Sequence, residues 1–192
     1  MKCAAFMPAL LAAGLIGCYQ VRLDPIAPVA TERLAFAAKV VVPPATAGMT
    51  YDVHSMMAGG ANKWTLEVGA AVVQYADAYL ANAFQPSDDV TIRVDLTSFT
   101  VHDFEAHADM RFTVTRGDKT VAEKTYQCKG EGYAARVIWG GAFAMKSSMR
   151  KTTDEALRDC FGRFLADAKG EHTTWVAPAA DPTMPSAADP SR

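Results

Sequence analysis

The stretch from Val90 to Gly130 constrains the fold more than any other part of the chain. Val90, Ile92, Val94 and Leu96 alternate with Thr91, Arg93, Asp95 and Thr97, a period of two that puts one face in a core and the other in water. The alternation resumes at Ala106, Ala108, Met110, Phe112 and Val114, with His107, Asp109, Arg111 and Thr113 opposite. Arg116-Gly117-Asp118-Lys119 then turns the chain into Thr120 to Gly130, with Gly117 supplying the positive φ of a tight turn. This predicts an antiparallel hairpin beside a further strand. Ala122, Tyr126 and Cys128 form the inward set of the hairpin's second arm, and Lys124 is a mismatch among them.

Around this sheet the pattern changes to a helical one. From Lys63 to Phe84, apolar residues at Val68, Ala71, Val72, Tyr75, Tyr79 and Ala83 line one helical face, with Asn62 as cap and Pro86 as stop. A second helix opens at Thr152-Thr153-Asp154-Glu155, where Thr152 and Glu155 stand at capping-box spacing. It runs to about Ala168, buries Ala156, Leu157, Cys160, Phe161, Phe164 and Leu165, and stops at Gly170. Phe36 to Val42 reads as a short strand ended by Pro43-Pro44, followed by a Gly- and Met-containing loop from Ala45 to Ala61. The element order predicts an α+β domain: a mostly antiparallel sheet of about four strands with two helices packed on one face.

Half of the 192 residues are hydrophobic and 21% are charged, with a net charge of −2. That balance excludes a disordered polymer and a polytopic membrane protein, which needs several apolar runs of about 20 residues. Lys and Arg are scattered and the pI is about 6.1, so there is no electrostatic footprint for nucleic acid.

The amino-terminal end has its own logic. Lys2 precedes an apolar stretch from Cys3 to Gly17 that is broken by Pro8 and too short for a comfortable membrane span, so residues 1–17 read as a secretion signal. It ends Leu15-Ile16-Gly17-Cys18, which resembles the lipobox of bacterial lipoproteins. The resemblance implies cleavage before Cys18 and lipidation of its thiol; the alternative is an ordinary cleaved signal with a chance cysteine. Each buried acyl methylene contributes about 0.8 kcal/mol, so two or three chains anchor a protein without any spanning helix. Tyr19 stands where the sorting rules of such lipoproteins place an aspartate for inner-membrane retention, which favours the outer membrane. Residues 18–34, with Pro25 and Pro28, read as a tether, 35–174 as one domain, and 175–192, rich in Pro, Ala, Ser and Asp, as a disordered tail.

Setting aside Cys3 and Cys18, two cysteines remain, Cys128 and Cys160. In an oxidising periplasm such a pair closes a disulfide, here stapling helix to sheet; the alternative is two buried free thiols. Metal binding by cysteine wants four clustered soft ligands, and no CxxC is present.

The richest polar stretch runs from His102 to Asp109. Alternation aligns Asp103, Glu105, His107, Asp109 and Arg111 on one face, but residues two apart on a strand are about 6.6 Å from each other and do not converge on a metal ion. The expectation is a polar binding surface with no metal and no catalytic role. Arg116-Gly117-Asp118 spells an adhesion tripeptide whose Gly and Asp are explained by the turn itself. No GxSxG, GxxxxGK[ST] or GxGxxG occurs, so no catalytic residue, enzyme activity or cofactor is expected. Two apolar features remain: Tyr133, Ile138, Trp139 and Phe143 in a Gly-rich passage, and Met49, Met56 and Met57 before the first helix. They fit either lids on the core or adaptable contact surfaces, and Trp139 joins His107, Asp109 and Arg111 as a candidate binding residue.

The lipobox, the strands ending Tyr126-Gln127-Cys128-Lys129-Gly130-Glu131-Gly132 and the helix opening Thr153-Asp154-Glu155-Ala156-Leu157 together resemble small outer-membrane lipoproteins of the YajG kind. In layout they also resemble the lipopolysaccharide-assembly lipoproteins. The resemblance implies a periplasm-facing, non-enzymatic α+β module, accessory to envelope assembly or transport, held to the membrane by its lipid and contacting an envelope protein or lipid. The rival readings are an auxiliary lipoprotein of an ABC-type lipid transporter and, third, a metal-dependent periplasmic enzyme.

Overall fold

The computed structural model describes residues 18–29, 33–34, 36–54, 63–102, 105–131 and 134–176. The expected signal 1–17, Met56, Met57, Asp103, Tyr133 and the tail 177–192 lie outside them, as do the side chains of Ile138, Trp139 and Phe143. In chain order the elements are β1 (Cys18–Val21), β2 (Lys39–Val41), α1 (Pro44–Ala47), β3 (Tyr51–His54), β4 (Lys63–Leu66), α2 (Val68–Tyr75), a π-helical turn (Ala76–Leu80), β5 (Val90–His102), β6 (Glu105–Arg116), β7 (Lys119–Gly130) and α3 (Ala134–Val176). The fold is α+β. Its main sheet has four strands in the order β2-β5-β6-β7, and α2 and α3 pack against it.

The sheet is mixed rather than purely antiparallel. β5, β6 and β7 form the expected meander, but β2 pairs with β5 in parallel, Val40 opposite Ile92. A second, three-stranded sheet, β1-β4-β3, was not expected. In it β1 runs parallel to β4, with Val21 opposite Leu66.

This smaller sheet corrects two readings. Residues 18–34 are not a free tether: Val21 is fully buried, Leu23 and Leu34 nearly so, and Val29 N–H and Leu34 N–H donate to Ala78 and Ala83 carbonyls beside α2. The helix expected from Lys63 begins only at Val68, because Lys63 to Leu66 is β4. Trp64 and Leu66 point inward there, an alternation too short to separate from a helical stripe in sequence. The expected loop from Ala45 likewise contains α1 and β3. Thr46 of α1 caps the edge of β5 by accepting the Leu96 N–H beyond the point where β2 ends.

β5 continues to His102 through a bulge between Leu96 and Ser98. The extra residue moves the buried set from even to odd positions, so Phe99 rather than Ser98 faces the core. The β6–β7 turn is as expected, with Gly117 at φ 55°.

α3 is the largest departure. The capping-box spacing at Thr152 marks no helix start: the helix begins at Ala134 and runs through the Gly- and aromatic-rich passage. Thr152 and Thr153 are fully buried inside it, and both hydroxyls donate back to the Met149 carbonyl. Nor does Gly170 stop the helix. It reaches Val176, and Trp175, placed in the tail by the sequence reading, is buried against Phe36 and Phe164.

From Thr152 onward α3 descends antiparallel along β7, and alternate strand residues meet helix residues one or two turns apart. Gly130 abuts Thr152, Cys128 is bonded to Cys160, Tyr126 donates to Asp167 at 2.7 Å, and Lys124 donates to Glu171 at 2.6 Å. The Lys124 mismatch is thereby explained, since the core face of β7 emerges at the helix edge where an ammonium finds carboxylates. The pair is part-exposed, so Lys124→Met is expected to change stability by less than about 1 kcal/mol in a urea melt.

The core between the layers is strongly aromatic. Phe112 of β6 stacks on Phe164 with ring centres 4.3 Å apart, and Phe161 meets Phe112, Tyr75 and Tyr79. Among the described residues no helix is long and apolar enough to cross a membrane.

Candidate functional site: a polar sheet face and a basic cleft

The solvent face of the main sheet carries His107, Asp109 and Arg111, as alternation requires. His107 registers opposite Thr100 and Lys129, Asp109 opposite Ser98 and Gln127, and Arg111 opposite Asp95 and Thr125. The face holds a depression of about 280 Å³ lined by His107, Asp109, Gln127, Cys128 and Lys129. Its charges neutralise one another locally: Glu105 accepts from Lys129 at 2.7 Å and lies 3.8 Å from His107. Arg93 holds Asp95 through two hydrogen bonds along β5. No group of three or more metal-ligating side chains comes together among the described residues. Trp139 belongs to α3, and its side chain lies outside the described residues.

The structure forms a concave site elsewhere, from residues the sequence reading did not select. Where the 23–29 segment, lying beside the π-helical turn, faces α3, the two line a cleft of about 630 Å³. One wall is apolar, contributed by Leu23, Pro25, Ile26, Val29 and Tyr79. The other is a stripe of α3 carrying Lys146, Arg150, Lys151 and Arg158, in which Lys146 and Arg150 stand four apart and Arg158 two turns further on. Only Asp24 and Asp154 add negative charge to the lining.

These acids are not equivalent. Asp154 is committed to the fold: it accepts the Tyr75 hydroxyl and a 2.9 Å contact from Arg158. Asp24 sits on the rim, with 79% of its side chain exposed, 3.0 Å from an Arg150 terminal nitrogen. Arg150 Nε is buried without a hydrogen-bond partner among the described residues. Tyr79 stands on the π-helical turn, whose Ala81 N–H reaches back to the Ala76 carbonyl; such turns recur at functional sites. Its hydroxyl pKa is raised by burial.

Tyr75, bonded to the cleft residue Asp154, and Tyr126 on β7, bonded to Asp167, are tyrosines held neutral. Burial is the larger cause of their raised pKa values, followed by hydrogen bonds to Asp154 and Asp167 respectively. A tyrosine whose folded pKa lies above the unfolded value keeps a proton that the unfolded chain releases. Its contribution is complete below about pH 10 and is lost as the pH rises further. Stability is therefore expected to fall above pH 10, by about 1.4 kcal/mol per pH unit for each tyrosine. Denaturant melts from pH 8 to 11 measure that slope, and Tyr75→Phe with Tyr126→Phe should flatten it.

The lysines and arginines of the stripe were visible in sequence, but their common face was not. A helix beginning at Thr152 excludes Lys146, Arg150 and Lys151, and a free tether supplies no second wall.

Fold and geometry together define a two-layer α+β domain with a helix-to-sheet disulfide and a mixed cationic and apolar cleft. No family model and no curated protein matches the sequence. Among solved structures the fold is similar to that of protein XCC0632 from Xanthomonas campestris, described under the family model DUF330. The TM-score is 0.50 at 10% identity, covering 82% of this chain and 99% of that one. At that identity the likeness is one of fold.

Proposed function

We propose that this chain is a lipid-anchored, non-enzymatic accessory module of the bacterial cell envelope, held at the outer membrane through Cys18 and facing the periplasm. The observation that carries the reading is the Cys128–Cys160 bridge between β7 and α3, a structural disulfide of the kind that persists in oxidising compartments. The lipobox resemblance at Leu15 to Cys18 supplies the anchor, and β1 begins at that cysteine. Labelling with radioactive palmitate tests the anchor: wild type is expected to incorporate label and Cys18→Ala to lose it. Photocrosslinking probes at His107 and Trp139 in intact envelopes are expected to give a discrete protein adduct that disappears in Cys18→Ala.

One feature favours a second reading, an auxiliary lipoprotein of an ABC-type lipid transporter: the cleft combines an apolar wall with a cationic one, as a lipid requires. This role predicts co-fractionation with an inner-membrane partner, whereas the first predicts outer-membrane density alone. Stoichiometric zinc in the purified protein would overturn the non-enzymatic reading.

A further inference from the structure

We infer that the cleft between the 23–29 segment and α3 is a binding site for a phosphate-bearing amphiphile. The phosphate lies against Lys146, Arg150 and Lys151, and the hydrocarbon lies against Leu23, Ile26 and Tyr79. This adds a ligand to the envelope role without resting on it, since the walls are built from residues 23 to 158 whether or not Cys18 is acylated.

Charge complementarity makes the first argument. The cleft gathers four cations and two carboxylates, and one of those carboxylates, Asp154, already serves Tyr75 and Arg158. Among the described residues Lys146 has no acidic partner. The excess positive charge therefore concentrates at the 146–151 end. An anion with several acceptor oxygens neutralises such a cluster better than a single carboxylate does.

Arg150 supplies the second argument. Its guanidinium offers five donors in a fixed fork, yet one terminal nitrogen meets only the rim carboxylate of Asp24, and Nε is buried without a partner. Arg150 lines the cleft with 30% of its side chain exposed, so its terminal nitrogens rather than the buried Nε meet an incoming acceptor. Asp24 occupies one of them. With most of its side chain in solvent it loses little on release, so a phosphate entering the cleft displaces it.

The apolar wall decides the rest of the ligand. A site for a free inorganic anion has no use for Leu23, Pro25, Ile26 and Val29 lining the facing side. About 630 Å³ suits a ligand of lipid-headgroup size with the first part of an acyl chain, within the range of small-molecule sites.

The test uses full-length protein in nonionic detergent and two photoreactive probes with identical acyl chains, a phosphatidic acid and a diacylglycerol that lacks the phosphate. The phosphatidic acid probe is expected to label peptides containing residues 23–29 or 146–158, and the diacylglycerol at least tenfold less. Each cation near an anionic lipid is worth about fivefold, so Lys146→Glu with Lys151→Glu should lower labelling at least tenfold. Asp24→Asn, which removes the competing carboxylate, should raise labelling about fivefold. Both changes are at solvent-accessible positions, and unchanged melting temperatures verify that the variants fold. Equal labelling by the two probes, labelling indifferent to the charge reversals, or an Asp24→Asn variant that labels less would overturn the inference. Displacement by millimolar inorganic phosphate as readily as by unlabelled phosphatidic acid would also overturn it, and would identify a free-phosphate site instead. In intact envelopes, a protein adduct at these peptides in place of a lipid adduct would overturn it as well.

Discussion

Gly130→Ala is expected to destabilise this protein by about 3 kcal/mol or more, a large loss for the addition of one methyl group. A Cβ at Gly130 would lie 1.7 Å from the Thr152 carbonyl oxygen and 2.6 Å from its carbon, so it meets backbone rather than a side chain that can rotate away. Neither neighbour can yield cheaply. The end of β7 is held in the sheet through Ala106, and Thr152 lies within α3, locked by the hydroxyl bonds of Thr152 and Thr153 to Met149. The same substitution at Gly162 is the internal control. Nothing lies within 4 Å of a Cβ there, and the position is exposed and helical, so Gly162→Ala should stabilise by about 1 kcal/mol. Denaturant unfolding of the two variants beside wild type measures both signs; equal small effects would mean that β7 and α3 are not in this contact.

Replacing Cys128 and Cys160 together by serine is expected to cost about 3–4 kcal/mol. The bridge closes a loop with a sequence separation of 32, and the chain-entropy account gives a loss of that size for such a loop. For a chain of this length that corresponds to a melting temperature lower by about 6–16 °C. The two sulfurs lie between layers, with Cys128 nearly and Cys160 fully buried, so serine hydroxyls in their place add a desolvation cost. Alkylation of the unfolded but unreduced protein is expected to leave both positions unmodified, and uptake of reagent at both would show two free thiols instead.

The meander from Val90 to Gly130 was legible because each strand carries its own two-residue period and the turn at Gly117 has its own chemistry. The inward stripe of α3 from Ala156 to Ala168 was legible for the same reason, as was the availability of Cys128 and Cys160 to each other. The misreadings share one property: each concerns a segment whose partner is distant in sequence. Cys18 to Val21 becomes a strand because Lys63 to Leu66 lies beside it, and Lys63 to Leu66 escapes the following helix because it has a strand on either side. The spacing of Thr152 and Glu155 fits a capping box, yet a fully buried threonine in mid-helix bonds back to its own turn instead.

The candidate site divides in the same way. His107, Asp109 and Arg111 were found on one face because strand alternation is local, and the face is where the sequence placed it. The cleft was hidden because it joins a segment around residue 25 to a helix around residue 150, and neither half is distinctive alone. What the sequence by itself determined is therefore the set of elements with a local period, the pair of cysteines available to staple them, and the polar outer face of the sheet. Only the tertiary structure decided the second sheet, the parallel edge strand, the full length of α3 and the cleft. These depend on contacts between distant residues, whose energy a short window of sequence does not contain.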